Sequence, residues 1–458
     1  MKKINKYLLI ALFAGFLSSC EDAYQVAPGD EIVDENAITS VEDVESAVIG
    51  AYSGIGNIEN SIEFSTVFTD EINIASSNNG QGIQPHNFSI NPGTDDIETL
   101  FKGYYVPISR ANRVLAAMPR ITAINDAEQL RLNRSKGEML FIRAYCHFDL
   151  LRYFAPSFTD LAAPGVPYAD FVVVTEQLPR NTVGEVYEKL EKDLTEAAAL
   201  IPATDSFNGK VTLDAINGLR ARIALYKGDY ATAIALSSPL ITKYPLVDAG
   251  SFSSIWLDAT TAEVIFKLKR VGNESRIGLI FIDNAGTVYY NPSSKLLGSY
   301  DPTDVRVPVY FSEDGTVVTK YPGVSGSFGL NDLKLIRSAE MVLLRSEAYA
   351  KTNQLALAAA DYNYLRTARQ TNFTAISFTT TANAVNEILD ESFREFAFEG
   401  VRFFDLKRNA KPIERNAQDC ATQTNGICTL AATDYRFALP FPTSEIFVNK
   451  SIVQNPGY

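Results

Sequence analysis

The sequence predicts a mostly α-helical chain, with helix pairs of tetratricopeptide type forming a scaffold and one loop-rich, partly β region set into it. Three observations carry this prediction. Apolar residues recur with a 3.6-residue period through most of the chain. Two segments read as tight helical hairpins. Between them, about residues 245–331 lose the helical period and become rich in Gly, Pro, Ser, Asp and Tyr.

Composition narrows the class. The chain has 458 residues, 46% of them hydrophobic, and a formal charge of −13, which is ample for a core and excludes a disordered or disulfide-dense mini-protein. The acidic balance argues against a nucleic-acid binder, which needs a basic stripe for phosphates. It also disfavours strongly anionic polymers as ligands. Aromatic residues are abundant, yet only Trp256 is a tryptophan.

Along the chain, Lys2, Lys3 and Lys6 precede an apolar run from Tyr7 to Leu17, then Leu17-Ser18-Ser19-Cys20. A basic start and an apolar run of about eleven residues read as a secretory signal, too short to span a bilayer. Thr39 with Glu42 reads as a capping box opening a helix through Val44, Val48, Ala51 and Tyr52. The stretch from Glu138 to Phe154 is apolar nearly all round, so it reads as a central buried helix, stopped by Pro156. His147 and Cys146 fall within it as core residues. Thr182 and Glu185 cap a helix whose stripe runs from Val186 to Ile201, ended by Pro202.

The first hairpin runs from Leu219 through Tyr226-Lys227-Gly228-Asp229-Tyr230 to Ala233, with Gly228 as helix stop and Asp229 as new cap. The second runs from Glu347 through Thr352-Asn353-Gln354 to Ala358. More than a hundred residues separate them, so the sequence shows no regular array. Strand-like runs are Phe171 to Val174, Glu263 to Leu268 and Thr316 to Thr319. The 245–331 region is expected at the surface, where loops on a rigid scaffold commonly carry binding. Near the end, Cys420 and Cys428 flank a polar loop containing Asn425-Gly426; they read either as a disulfide or as two thiols.

Residues across the chain carry a family resemblance. The strongest segment is Arg394-Glu395-Phe396-Ala397-Phe398-Glu399-Gly400-Val401-Arg402-Phe403-Phe404-Asp405-Leu406-Lys407-Arg408, with Ser392 where an Arg is usual. Others are Tyr104 to Arg113, the helix around Arg143-Ala144-Tyr145, Arg180-Asn181-Thr182-Val183, Leu439-Pro440-Phe441-Pro442 and the closing Gln454-Asn455-Pro456-Gly457-Tyr458. In this order they resemble the SusD/RagB family of nutrient-binding outer-membrane lipoproteins. The tail implies that the sequence reaches the family's usual end.

The resemblance implies a lipoprotein signal peptide over 1–19, Cys20 as the acylated residue and one binding domain over 20–458 with its insertion at about 245–331. Glu21-Asp22 is similar to the family's surface-export signal. It further implies a cell-surface, lipid-anchored protein of the outer membrane that captures oligosaccharide and passes it to a TonB-dependent, SusC-like transporter. No enzymatic activity and no cofactor or metal is expected. A peptide-binding member of the same family is the alternative, and a surface glycosidase a remote one.

Glycan capture calls for flat rings against apolar pyranose faces, with amides, carboxylates and arginines for the hydroxyls. Two stretches offer both, and they are where such proteins tend to contact ligand. Within 70–88 the candidates are Asp70, Asn73, Asn79, Gln81, His86 and Phe88, with Asn78 and Asn87 beside them. Within 283–306 they are Tyr289, Tyr290 and Asn291, then Asn284, Tyr300 and Asp301. Trp256 resembles a family position that packs internally. A glycosidase needs two carboxylates flanking a bond. Glu395, Glu399 and Asp405 read instead as rungs of an ion-pair ladder with Arg402 and Arg408 along one helix.

Overall fold

The computed structural model describes residues 37–55, 58–272, 274–324, 326–420 and 427–458. The expected signal peptide and Cys20 lie outside the described residues. Helix α1 (Val41–Gly54) opens on a capping box one residue later than Thr39 and Glu42 suggest: Ser40 is the cap and Asp43 its partner. The short Asp43 carboxylate reaches the backbone N–H groups of both Thr39 (3.0 Å) and Ser40 (2.9 Å), which fixes the register.

Helices α2 (Ile58–Phe68), α3 (Asp95–Ala117) and α4 (Asp126–Phe154) follow. The α4 segment from Met139 to Phe154 is buried on every side, as expected of a helix surrounded by others. His147 stacks on Tyr168, donates from Nδ1 to the Arg143 carbonyl (2.9 Å) and accepts at Nε2 from the Ala169 N–H. Burial holds its pKa down at about 3, so it stays neutral. Arg143 bridges Asp193 and Asn112, tying α3 and α4 to α5 (Val183–Leu200).

The two hairpins are α6 (Leu213–Lys227) with α7 (Tyr230–Lys243), and α8 (Ser338–Lys351) with α9 (Leu355–Arg369). Gly228 takes the left-handed conformation (φ 82°) that lets the chain reverse between α6 and α7, and Asp229 caps α7 by accepting from Thr232 N–H. Although far apart in sequence, the hairpins stack directly, α7 against α8. Arg345 of α8 pairs with Asp361 of α9 and donates to Ser238 of α7. The intervening chain makes this possible: β2 (Val264–Leu268) pairs antiparallel with β6 (Leu333–Arg337), which runs straight into α8. Short strands β3 (Tyr290–Pro292), β4 (Gly323–Val324) and β5 (Ser327–Phe328) lie between them, and β1 (Ile72–Ile74) precedes them all.

The structure departs from sequence expectation in three places. The 245–331 region is not merely a surface insertion: Phe252, Trp256, all of β2, Phe281, Tyr290 and Tyr310 are core residues. Its aperiodic pattern reflects strands and single turns that are buried, a pattern that helical periodicity cannot register. Phe171 to Val174 forms no strand; Phe171 and Val174 are exposed, and the segment is held by Asn112 donating to the Ala169 and Phe171 carbonyls. Thr316 to Thr319 forms only an isolated bridge, between Phe311 and Val318.

The third departure concerns the carboxylate-rich motif, which is not one helix. Helix α10 (Thr381–Glu395) ends at Glu395, a turn over 396–401 reverses direction, and α11 (Arg402–Arg408) begins anew. Gly400 (φ 75°) is required there, because a Cβ would sit 3.1 Å from the Ile62 Cα. The ladder is therefore replaced by separate buried pairings. Glu395 accepts from Arg306, Arg337 and Arg369. Glu399 holds Arg337 and Lys320, Arg402 reaches Asp70, and Asp405 takes Arg408 and Ser392. Burial opposes ionisation of Glu395, but the three guanidinium groups outweigh it and keep the carboxyl well below the usual range.

The closing residues bind the fold together. Gln454 exchanges two hydrogen bonds with the Phe441 backbone, both 2.8 Å. Asn455 donates to the Phe154 and Leu439 carbonyls and accepts from Arg180. Among the described residues no helix is long and apolar enough to cross a membrane.

Candidate ligand-binding face

Two polar stretches distant in sequence form one surface. β1 and β3 pair antiparallel, with Ile72 opposite Pro292, Asn73 opposite Asn291 and Ile74 opposite Tyr290. The ladder extends at both ends, through Ala75 N–H to the Tyr289 carbonyl (3.1 Å) and Ser293 N–H to the Glu71 carbonyl (3.0 Å). Ser77 and Asn78 add side-chain bonds to the Val288 and Tyr289 carbonyls. β-Pairing of this kind needs only a short apolar core facing inward, here Ile72, Ile74 and Tyr290.

Strand alternation then sorts the candidate residues. Asn73, Asn291 and Tyr289 are half-buried at the outer side, while Asn79, Gln81 and Asn284 are exposed. Tyr289 donates to Asp283 (3.2 Å) and its hydroxyl also meets the Gln81 side chain. Asp283 in turn accepts from the Ala285 and Thr287 N–H groups, both 2.8 Å, closing the turn that ends at Gly286 (φ 86°). The result is a strip of amides, one carboxylate and one phenol ring, a set able to give and accept hydrogen bonds from a hydroxyl-rich ligand.

Four candidates belong to the interior instead. Asp70 is fully buried and holds Arg402 (two bonds of 2.8 Å) and Lys295 (2.7 Å). Burial resists its charge, but these two cations win and its pKa falls well below the normal carboxylate value. His86 is 1% exposed, and burial, aided by Arg415, pushes its pKa down to about 3. Phe88 packs edge-on against Phe68 and lies under the Arg415 guanidinium. Tyr290 is fully buried and donates to Glu63 (2.8 Å). Residue type alone nominates each of them, and each is taken out of reach by a partner that sequence proximity does not reveal. Asp301 is exposed and accepts from Thr303, and Tyr300 donates to the Arg394 carbonyl, away from the strip.

A third segment, missed in the sequence, adjoins the face. Asn73 donates to the Gln418 carbonyl (3.3 Å), and Asp419 caps the turn at Ser294 with two 2.8 Å bonds. Cys420 and Cys428 are joined by a disulfide, with Cα atoms 5.4 Å apart, and β7 (Ile413–Glu414) and β8 (Thr429–Leu430) pair at its base. The Asn425-Gly426 turn signal lies outside the described residues. Among the described residues no cluster of three metal-ligating side chains occurs.

A stack of tetratricopeptide-like helix pairs, with a non-helical polar face built by remote strands and turns, defines a class of helical-scaffold proteins. The particular family follows from the sequence. Residues 217–458 match the SusD family, and residues 21–225 match a SusD-like family described as starch-binding and associating with the outer membrane; the chain belongs to the SusD family. It is similar to SusD-like protein P38 of Formosa agariphila, at 24% identity over 90% of this chain and 92% of that one. Its fold matches a SusD superfamily protein from Bacteroides thetaiotaomicron with a TM-score of 0.81, 24% identity and coverage of 92% of this chain and 100% of the other. A laminarin-binding SusD-like protein shares the fold with a TM-score of 0.69 and 19% identity, covering 92% of this chain and all of that one.

Proposed function

We propose that this protein is a cell-surface, lipid-anchored glycan-binding protein that captures oligosaccharide without transforming it. It passes the ligand to a partner TonB-dependent transporter in the outer membrane. Anchoring is through Cys20 after removal of 1–19, leaving 20–458 as the binding domain. The observation that carries the reading is the β1–β3 pairing, which gathers Asn73, Asn79, Gln81, Asp283, Tyr289 and Asn291 on one accessible strip. The family's starch-binding description and the laminarin-binding structural relative support a glycan as the ligand class. Against a glycosidase stands the pairing of the family motif's carboxylates: Glu395 is buried among three arginines, Glu399 is held by Arg337 and Lys320, and Asp405 by Arg408 and Ser392, so each is engaged by its own partners rather than free to act as acid or nucleophile.

Calorimetry with soluble β-glucans and α-glucans, set beside peptides of matched size, tests the reading. Binding to a glycan that weakens roughly tenfold in Tyr289→Ala or Gln81→Ala supports it. Binding to peptides alone transfers the face to peptide capture. Release of reducing ends from the bound glycan by purified protein would show a glycosidase instead.

A further inference from the structure

A cavity of about 110 Å³ lies where the stacked hairpins meet α2, α4 and α11. A single water needs roughly 10–15 Å³ on this measure, so the space admits several small molecules. It lies apart from the polar strip and is independent of what that strip binds.

Its wall charges already satisfy one another. Arg222 pairs with Glu340, Arg337 with Glu399, Arg152 with Asp149, and Arg408 with Glu347 and Asp405. Five acids and four arginines bonded within the wall leave little to retain a free ion, and Lys334, also on the wall, is paired with Asp258 behind it. What is left unmet is hydrogen-bonding capacity at single atoms. Trp256 Nε1–H, Arg408 Nε–H and the Asp149 Oδ2 have no partner among the described residues. Trp256 and Asp149 are each only 1% exposed and both line the cavity. Buried polar groups almost always have partners, so orphaned atoms on residues that line a void point to a guest.

A neutral guest suits the site, because each charged group of the wall already has a partner of opposite sign. It must donate to Asp149 and accept from Trp256 and Arg408, so it needs both hydrogen-bonding roles. It must also be small. Hydroxyl groups meet all three conditions. We propose that this cavity is a binding site for small hydroxylated molecules, filled by an ordered water cluster or by a short polyol that replaces it.

High-resolution crystals of the full mature chain, grown and cooled without polyol and then soaked in glycerol, test the proposal. Solvent peaks within hydrogen-bond distance of Trp256 Nε1 and Asp149 Oδ2 that persist in glycerol identify water as the occupant. Triol density displacing them identifies the polyol. Bare atoms in both crystals overturn the site.

Discussion

Replacing Glu395 by glutamine tests the buried charge network at its centre. Glu395 is fully buried and accepts from Arg337 Nη1 (2.9 Å), Arg369 Nε (3.0 Å) and Arg306 Nη1 (3.1 Å). The amide keeps the shape, but it places an N–H₂ group among guanidinium donors and leaves a net positive charge in the core. Breaking a buried pair costs about 3–5 kcal/mol. The three arginines keep their other partners, Glu399, Glu263 and the Asp304–Glu391 pair, which sets the cost at about 4 kcal/mol rather than above this range. With an unfolding entropy of ~2.1 cal/mol/K per residue, a chain this long should lose about 4–5 °C in melting temperature. Differential scanning calorimetry measures this directly. Glu98→Gln is the control, since its partner Lys102 is 62% exposed and such pairs contribute about 1 kcal/mol or less. If the two variants melt within a degree of each other, the network does not hold the fold as described here.

Three further outcomes follow from the same geometry. Burial pushes the Glu71 carboxyl up to about 7 against the Phe398 N–H, with Asp70 adding to the rise and Arg402 and Lys320 opposing it. A raised acid destabilises the fold progressively as pH climbs from its unfolded value through about 7, by about 3 kcal/mol at the plateau. Glu71→Gln, which mimics the protonated acid, should match the parent near pH 4.5 and melt higher than it at pH 8; a pH-independent difference would contradict this. Tyr290→Phe should lower melting temperature through loss of the Glu63 bond while leaving glycan affinity unchanged, and Tyr289→Ala should do the reverse; isothermal titration and melting curves on both separate the roles. Opening the Cys420–Cys428 bridge, whose sequence separation is 8, by Cys420→Ser with Cys428→Ser should cost roughly 2–3 kcal/mol by loop-closure entropy. Denaturant midpoints read that loss, and an unchanged midpoint would mean that β7–β8 pairing already closes the loop.

By itself the sequence determined the parts whose causes are local. Helix caps, the Gly228 reversal, the all-round apolar run in α4 and the order of family motifs depend on residues a turn or two apart, and the structure reproduces them to within a residue. The tertiary structure alone decided what long-range contact controls. β1 meets β3 across more than two hundred residues, and Asp70 meets Arg402 across an even longer interval. Tyr289 and Tyr290 are chemically alike and adjacent. Successive strand residues face opposite sides, so one lines the polar strip and the other fills the core. Composition could nominate both tyrosines. Only the register of β3 on β1, fixed by which face is buried, could choose between them.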